Sequence, residues 1–156
     1  MGESGVVQNT AFKGTIGNVW ENTGALGGSI KGAVLNCSVE ISGSYACGFA
    51  KKLSGGVIAN SISFGESPKG ALFAQYETAD DPGLVKNCYW TDTLSMPSVP
   101  EGVLVNSTSR DETEMKTLDL VDVLNNGRGD NGTKWGQSSE GFPLSLIHIS
   151  EPTRQA

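Results

Sequence analysis

One short pattern constrains this chain more than any other feature: glycine, any residue, valine or isoleucine, any residue, asparagine, then cysteine, threonine or serine. It stands at Gly5 to Thr10, Gly32 to Cys37, Gly56 to Ser61 and Gly83 to Cys88, with its asparagines at Asn9, Asn36, Asn60 and Asn87. A weaker copy, Gly102 to Ser107, follows after a shorter gap. The steps of 27, 24 and 27 residues between asparagines suit one coil of a solenoid. A few short strands rising about 3.3 Å per residue, joined by tight turns, consume that length, whereas strand-helix-strand units with long helices need more.

Val7, Val34, Ile58 and Val85 each sit two residues before an asparagine. In a continuous strand both would point to one face, so stacked coils are expected to carry an aliphatic ladder beside an asparagine ladder. Buried asparagine is costly unless paired, but identical asparagines stacked about 4.8 Å apart donate and accept along the stack. Cys37 and Cys88 occupy equivalent positions with Ser61 on the coil between them. Two strand spacings put them nearly 10 Å apart, too far for a disulfide. With Cys47, the cysteines are odd in number and lack metal-knuckle spacing, so free, partly buried thiols are expected. Glycine, 21 of 156 residues, also recurs between the motif copies, at Gly24 to Gly28, Gly48-Phe49-Ala50 and Gly70-Ala71-Leu72. Tight corners and close coil contact call for such small residues.

These residues resemble the GLUG-motif repeat family, in which a Gly-Leu-Val-Gly-like segment alternates with an Asn-Cys-Tyr-like one. Asn87-Cys88-Tyr89-Trp90 is the best match, while the eponymous segment survives only as Gly48-Phe49-Ala50 and Gly70 to Ala74. A second stretch, Glu114-Met115-Lys116 through Leu124 to Gly127, then Trp135 and Gly141-Phe142-Pro143, is similar to the segment that closes such arrays. The resemblance implies a secreted, extracellular or cell-surface bacterial protein; its surface ligand is left open, with a glycan and a host or neighbour-cell protein as the candidates.

The closing stretch predicts a helix near 110–125. Ser109 or Asp111 can cap it, Asp111, Glu112 and Glu114 suit its positive end, and Asn126-Gly127 can stop it. Met115, Leu118, Val121 and Leu124 would form its buried stripe, and with the Trp135 segment it would cover the open end of the solenoid. The expected fold is therefore all-β: a right-handed, parallel β-solenoid of about four short coils over residues 1–107, with a C-terminal capping helix and closing segment over 108–143.

Residues 144–156 are set apart as a non-native, adapter-derived tail. Leu144 to Arg154 resemble, codon by codon, one reading frame of a transposase sequencing adapter, so Leu144 to Ile149 would carry no meaning even where drawn as a strand. The chain's single histidine, His148, lies in that stretch, which leaves the rest without an imidazole base or ligand.

A formal net charge of -6 and no basic stripe oppose nucleic-acid binding, and no apolar run is long enough for membrane insertion. Arg128-Gly129-Asp130 spells an integrin-binding tripeptide, but a polar loop after a helix stop is its ordinary reading. Asp80, Asp81, Asp92 and the Asp111 to Glu114 cluster follow no calcium-loop spacing. Trp20, Tyr45, Tyr76, Tyr89 and Trp90 are candidates for a sugar-stacking platform, with core and turn packing as the ordinary alternative. No nucleophile elbow, phosphate loop or dinucleotide fingerprint occurs, and neither do the paired carboxylates of a glycosidase at equivalent repeat positions. The expectation is a non-enzyme with no catalytic, cofactor or metal site: a structural or adhesive module, or else a carbohydrate-binding accessory domain of an extracellular enzyme.

Overall fold

The computed structural model describes residues 5–16, 23–66, 70–77 and 82–145. Trp20, Asp80, Asp81 and His148 lie outside the described residues.

The repeat folds as a parallel β-solenoid with three faces. The first sheet stacks β1 (Val6–Gln8), β4 (Ala33–Leu35), β7 (Val57–Ala59), β10 (Leu84–Lys86) and β12 (Leu104–Val105). The second stacks β2 (Ala11–Thr15), β5 (Ser38–Ser42), β8 (Ile62–Phe64), β11 (Tyr89–Thr91) and β13 (Thr108–Arg110). The third holds only β3 (Ser29–Ile30), β6 (Ala50–Leu53) and β9 (Phe73–Tyr76). Two sheets are thus five rungs deep and one is three, so about three turns are complete on all sides, where the repeat count alone suggests four. The weak copy at Gly102 to Ser107 is a genuine rung, since β12 pairs with β10 and β13 with β11. Only 19 residues separate Asn87 from Asn106, and the strand missing from the last step is the one belonging to the third sheet.

Alternation in the second sheet sorts its side chains cleanly. Phe12, Val39, Ile41 and Trp90 face the interior, with Ile30, Val34, Phe49, Leu53, Ile58, Phe73 and Val85 from the other faces. Ile62, Phe64 and Tyr89 face outward, yet they are buried in a second cluster under the C-terminal helices. Inner corners are closed by small residues. Ala25 and Leu26 donate to the carbonyls of Gly48 and Phe49 (3.0 and 2.7 Å), and Gly48 and Phe49 donate in turn to Gly70 and Leu72 (2.9 and 2.8 Å). A Cβ on Gly48 would stand 1.9 Å from the Ala71 carbonyl oxygen, a distance only glycine avoids here.

The capping helix is present but broken. Asp111 caps α1 (Glu112–Met115) in a complete capping box with Glu114, and Thr117 caps α2 (Leu118–Gly127) by accepting from the Leu120 N–H. The restart at Thr117 shifts the helical phase, so the predicted stripe is corrected at one position: Leu118 is 65% exposed, and Leu120 takes its buried place beside Met115, Val121 and Leu124. The helices seat against the flank of the second sheet, where Ile62, Phe64 and Tyr89 need cover, and not across the terminal coil. Beyond them β14 (Trp135–Gln137) pairs antiparallel with β15 (Pro143–Ser145), a strand that includes the first two residues of the adapter-like stretch.

Replacing Gly48 by alanine is expected to destabilise the fold by at least about 3 kcal/mol, on the scale of severe overpacking. Gly28→Ala, where nothing lies within 4 Å of the added Cβ, should stay within about 0.5 kcal/mol of the parent. Urea unfolding followed by circular dichroism measures both.

Candidate functional site

The asparagines of the repeat are the most densely bonded polar groups in the described structure. Each ends a strand of the first sheet in the left-handed region, with φ of 55° at Asn9, 55° at Asn36, 49° at Asn60, 54° at Asn87 and 47° at Asn106. Asparagine tolerates this conformation better than other residues that carry a Cβ. The turn also breaks strand alternation, which overturns the expectation that the asparagines share the inward face of the valines. The amides point outward, those of Asn9, Asn36 and Asn60 under the C-terminal segment, and the following residue points in.

A continuous ladder results. Asn36 Nδ2 donates to Asn9 Oδ1 (2.8 Å), Asn60 Nδ2 to Asn36 Oδ1 (2.7 Å) and Asn87 Nδ2 to Asn60 Oδ1 (2.5 Å). The Tyr89 hydroxyl donates to Asn87 Oδ1 (2.8 Å) and ends it. Three of the amides also reach the C-terminal arm: Asn60 Nδ2 donates to the Leu124 carbonyl (2.8 Å), Asn36 Nδ2 to that of Thr133 (2.9 Å) and Asn9 Nδ2 to that of Asn131 (3.0 Å). Thr133 N–H donates back to Asn9 Oδ1 (2.9 Å), and the Trp135 indole N–H donates to Asn36 Oδ1. Asn125 fixes Trp135 by accepting from its N–H (2.7 Å) and donating to its carbonyl (3.0 Å).

Gly127, expected as the helix stop, is instead what lets α2 approach the ladder. A Cβ there would stand 2.3 Å from Asn87 Nδ2 and 2.6 Å from Asn60 Oδ1. The stop falls two residues later, at Gly129 with φ 69° after the Arg128 cap, so the glycine of the Arg-Gly-Asp sequence serves helix termination.

Inside the corner runs a second ladder, of hydroxyls and thiols. Thr10 Oγ1, Cys37 Sγ, Ser61 Oγ, Cys88 Sγ and Ser107 Oγ each donate to the carbonyl two residues earlier, at 2.9, 3.2, 2.8, 3.4 and 2.9 Å. Ser61 and Ser107 also accept from the N–H groups of Cys37 and Cys88, each at 3.0 Å. The position therefore selects a small donor, which is why cysteine, serine and threonine interchange. All three cysteines are free and buried. Burial raises Cys37 and Cys47 to about 11 and Cys88 to about 12, far from the reactive thiolate range.

Among the described residues the candidate aromatic platform is not assembled. Trp90 is in the interior, Tyr89 lies under the helices, and the half-buried Tyr76 accepts from Gly83 N–H at its hydroxyl (3.3 Å); among the four described candidates Tyr45, 40% exposed, is the most open to solvent. Burial of the first two follows from the corner, which fixes the inward and outward turns of β11. What the fold does assemble is a groove of about 880 Å³ between the second sheet, α1 and the 138–142 loop. Glu40, Glu66, Glu112 and Glu140 line it with Thr91 and Lys116. Lys116 pairs with Glu112 (2.9 Å), and Lys13 reaches Glu40 (3.4 Å) and Glu140 (4.0 Å) at the rim. Phe64 and Phe142 stack with centroids 4.1 Å apart, and the Lys116 ammonium sits 5.0 Å from the Phe142 ring centre, so the Phe142 ring is already engaged. Among the described residues, no cluster of three or more His, Cys, Asp or Glu is placed to hold a metal, and no helix is long and apolar enough to cross a membrane. No protein-family model, curated protein or solved structure matches this chain.

Asn60→Ala should cost about 3 kcal/mol or more, since it strands buried donors and acceptors and forces alanine into the left-handed region. Asn60→Gly removes the same amide without the backbone strain and should be about 1 kcal/mol milder; chemical denaturation of the pair separates the two contributions. The thiols predict a pH dependence. Their folded pKa values lie above the unfolded one, so their stabilisation is full below pH 9.0 and is lost as pH rises towards 11 and 12. Cys88→Ser should flatten that alkaline limb, in unfolding curves taken from neutral to alkaline pH.

Proposed function

We propose that this chain is a non-catalytic structural or adhesive module of a secreted bacterial cell-surface protein. One observation carries the reading: the polar side chains that recur coil after coil are consumed in coil-to-coil and coil-to-arm bonding. Asn36 uses both amide protons and accepts twice at Oδ1, and Ser61 both donates and accepts within its corner. Side chains spent this way hold a shape. The likeness of Asn87-Cys88-Tyr89-Trp90 and its companions to GLUG repeats supplies the cellular setting, and the open outer surface of the first sheet, with Val6 59% exposed, offers area for contact.

A second reading, a carbohydrate-binding accessory domain, is favoured by the acid-lined groove. Carboxylates there can accept from vicinal sugar hydroxyls, a role the buried Trp90 and Tyr89 rings are not placed to share.

A glycan array together with hydrolase and lyase turnover assays, both on the intact chain, decides between them. A purely structural module expects neither retention nor turnover, and an adhesive one expects any retention to survive Glu66→Gln. Glycan retention that Glu66→Gln abolishes, with a melting temperature unchanged because Glu66 is exposed, would transfer the assignment to the groove. Turnover of any glycan would overturn both readings.

A further inference from the structure

Two Asn-Gly dipeptides occur in the chain, Asn126-Gly127 and Asn131-Gly132, and the fold treats them oppositely. The first lies within α2, where the Gly127 amide belongs to the helical hydrogen-bond ladder and the residue is wedged against Asn60 and Asn87. The second lies in the exposed loop between α2 and β14. We infer that Asn131 is a site of spontaneous main-chain rearrangement, through a cyclic imide, to aspartate and isoaspartate.

The chemistry needs only water. The Gly132 backbone nitrogen loses its proton and attacks Cγ of Asn131, a new C–N bond forms, and the side-chain nitrogen leaves as ammonia with that proton. Water then adds across either imide C–N bond. Opening on one side returns a normal peptide with an aspartate side chain; opening on the other routes the chain through Cγ and leaves a free α-carboxylate.

Three features favour attack at this position. Glycine places no side chain in the way. The Gly132 N–H is held only by a long bond to the Gly129 carbonyl (3.4 Å). The carbonyl of the same peptide unit, that of Asn131, accepts from Asn9 Nδ2 (3.0 Å), which draws electron density from the amide and makes its proton more acidic. Glycine is also imposed there by the fold, because a Cβ on residue 132 would stand 2.1 Å from the Arg128 carbonyl oxygen. The turn that seats the arm on the ladder thus demands the residue that makes Asn131 labile.

The consequence is structural. Asn9 is held by the Asn131 carbonyl and the Thr133 N–H together. An isoaspartyl link removes the Asn131 α-carbonyl from the main chain as a pendant carboxylate and adds a backbone carbon ahead of the new linking carbonyl, so the acceptor that Asn9 uses and the Thr133 N–H lose their register with one amide.

The test is incubation of the folded chain at mildly alkaline pH, with peptide mapping that separates aspartate from isoaspartate at both positions. Conversion at residue 131 should exceed that at 126 by at least about tenfold, a barrier difference of about 1.4 kcal/mol. The two rates should converge in denaturant, and Asn131→Gln should abolish the product. Amide exchange at Thr133 should rise in the isoaspartyl fraction. Conversion at 126 equal to or faster than at 131 in the folded chain, or an unmodified residue 131 after prolonged incubation, overturns the inference.

Discussion

Everything in this molecule hangs on a backbone angle held five times. An asparagine with φ near +50° turns the chain from the first sheet into the second, and the same turn throws its amide outward and its successor inward. The two ladders are consequences of one corner. Outside, the amides satisfy each other along the stack and still have protons to spare; inside, hydroxyls and thiols add a second donor to carbonyls that already accept from the asparagine N–H of the coil before. Burial of polar groups is tolerable here only because identical coils bring complementary atoms into register.

The arm from α1 to β14 reads as a response to the spare protons. Its main-chain carbonyls at Leu124, Asn131 and Thr133 take them up one coil at a time, while Leu120, Val121 and Leu124 cover the apolar residues that β8 and β11 turn outward. Hydrophobic and polar seams run side by side over the same flank. The arm is therefore bonded to coils that lie far before it in the chain, and it ties the first corner to the third.

Much of this was legible in the sequence, because stacking makes period equal to structure. The steps between Asn9, Asn36, Asn60 and Asn87 gave the rungs, the Cys-Ser-Cys series placed the thiols out of disulfide reach, and the degenerate copy at Asn106 proved to be a rung. Side-chain direction at the corner escapes two-residue alternation because each asparagine leaves the strand region there. The left-handed preference of asparagine was the available signal. The helix break was marked by Thr117, a capping residue directly before the apolar Leu118. The groove had no such marker: Glu40, Glu66, Glu112 and Glu140 belong to separate coils, a helix and a loop, and only the fold brings them together.

The last step of the stack has no third-sheet strand, and there Leu94, Met96 and Val99 cover the core from a segment whose Ser95 carbonyl accepts from the Ala71 N–H (2.7 Å), so the stack shows three strands at one end and two at the other. At the two-strand end the Tyr89 hydroxyl donates to Asn87 Oδ1 (2.8 Å), one rung before Asn106. A shape of this kind has a direction. Any surface that docks edge-on finds three strand ends to match at one face and two at the other, so assemblies built through these edges would be polar, with a distinguishable front and back.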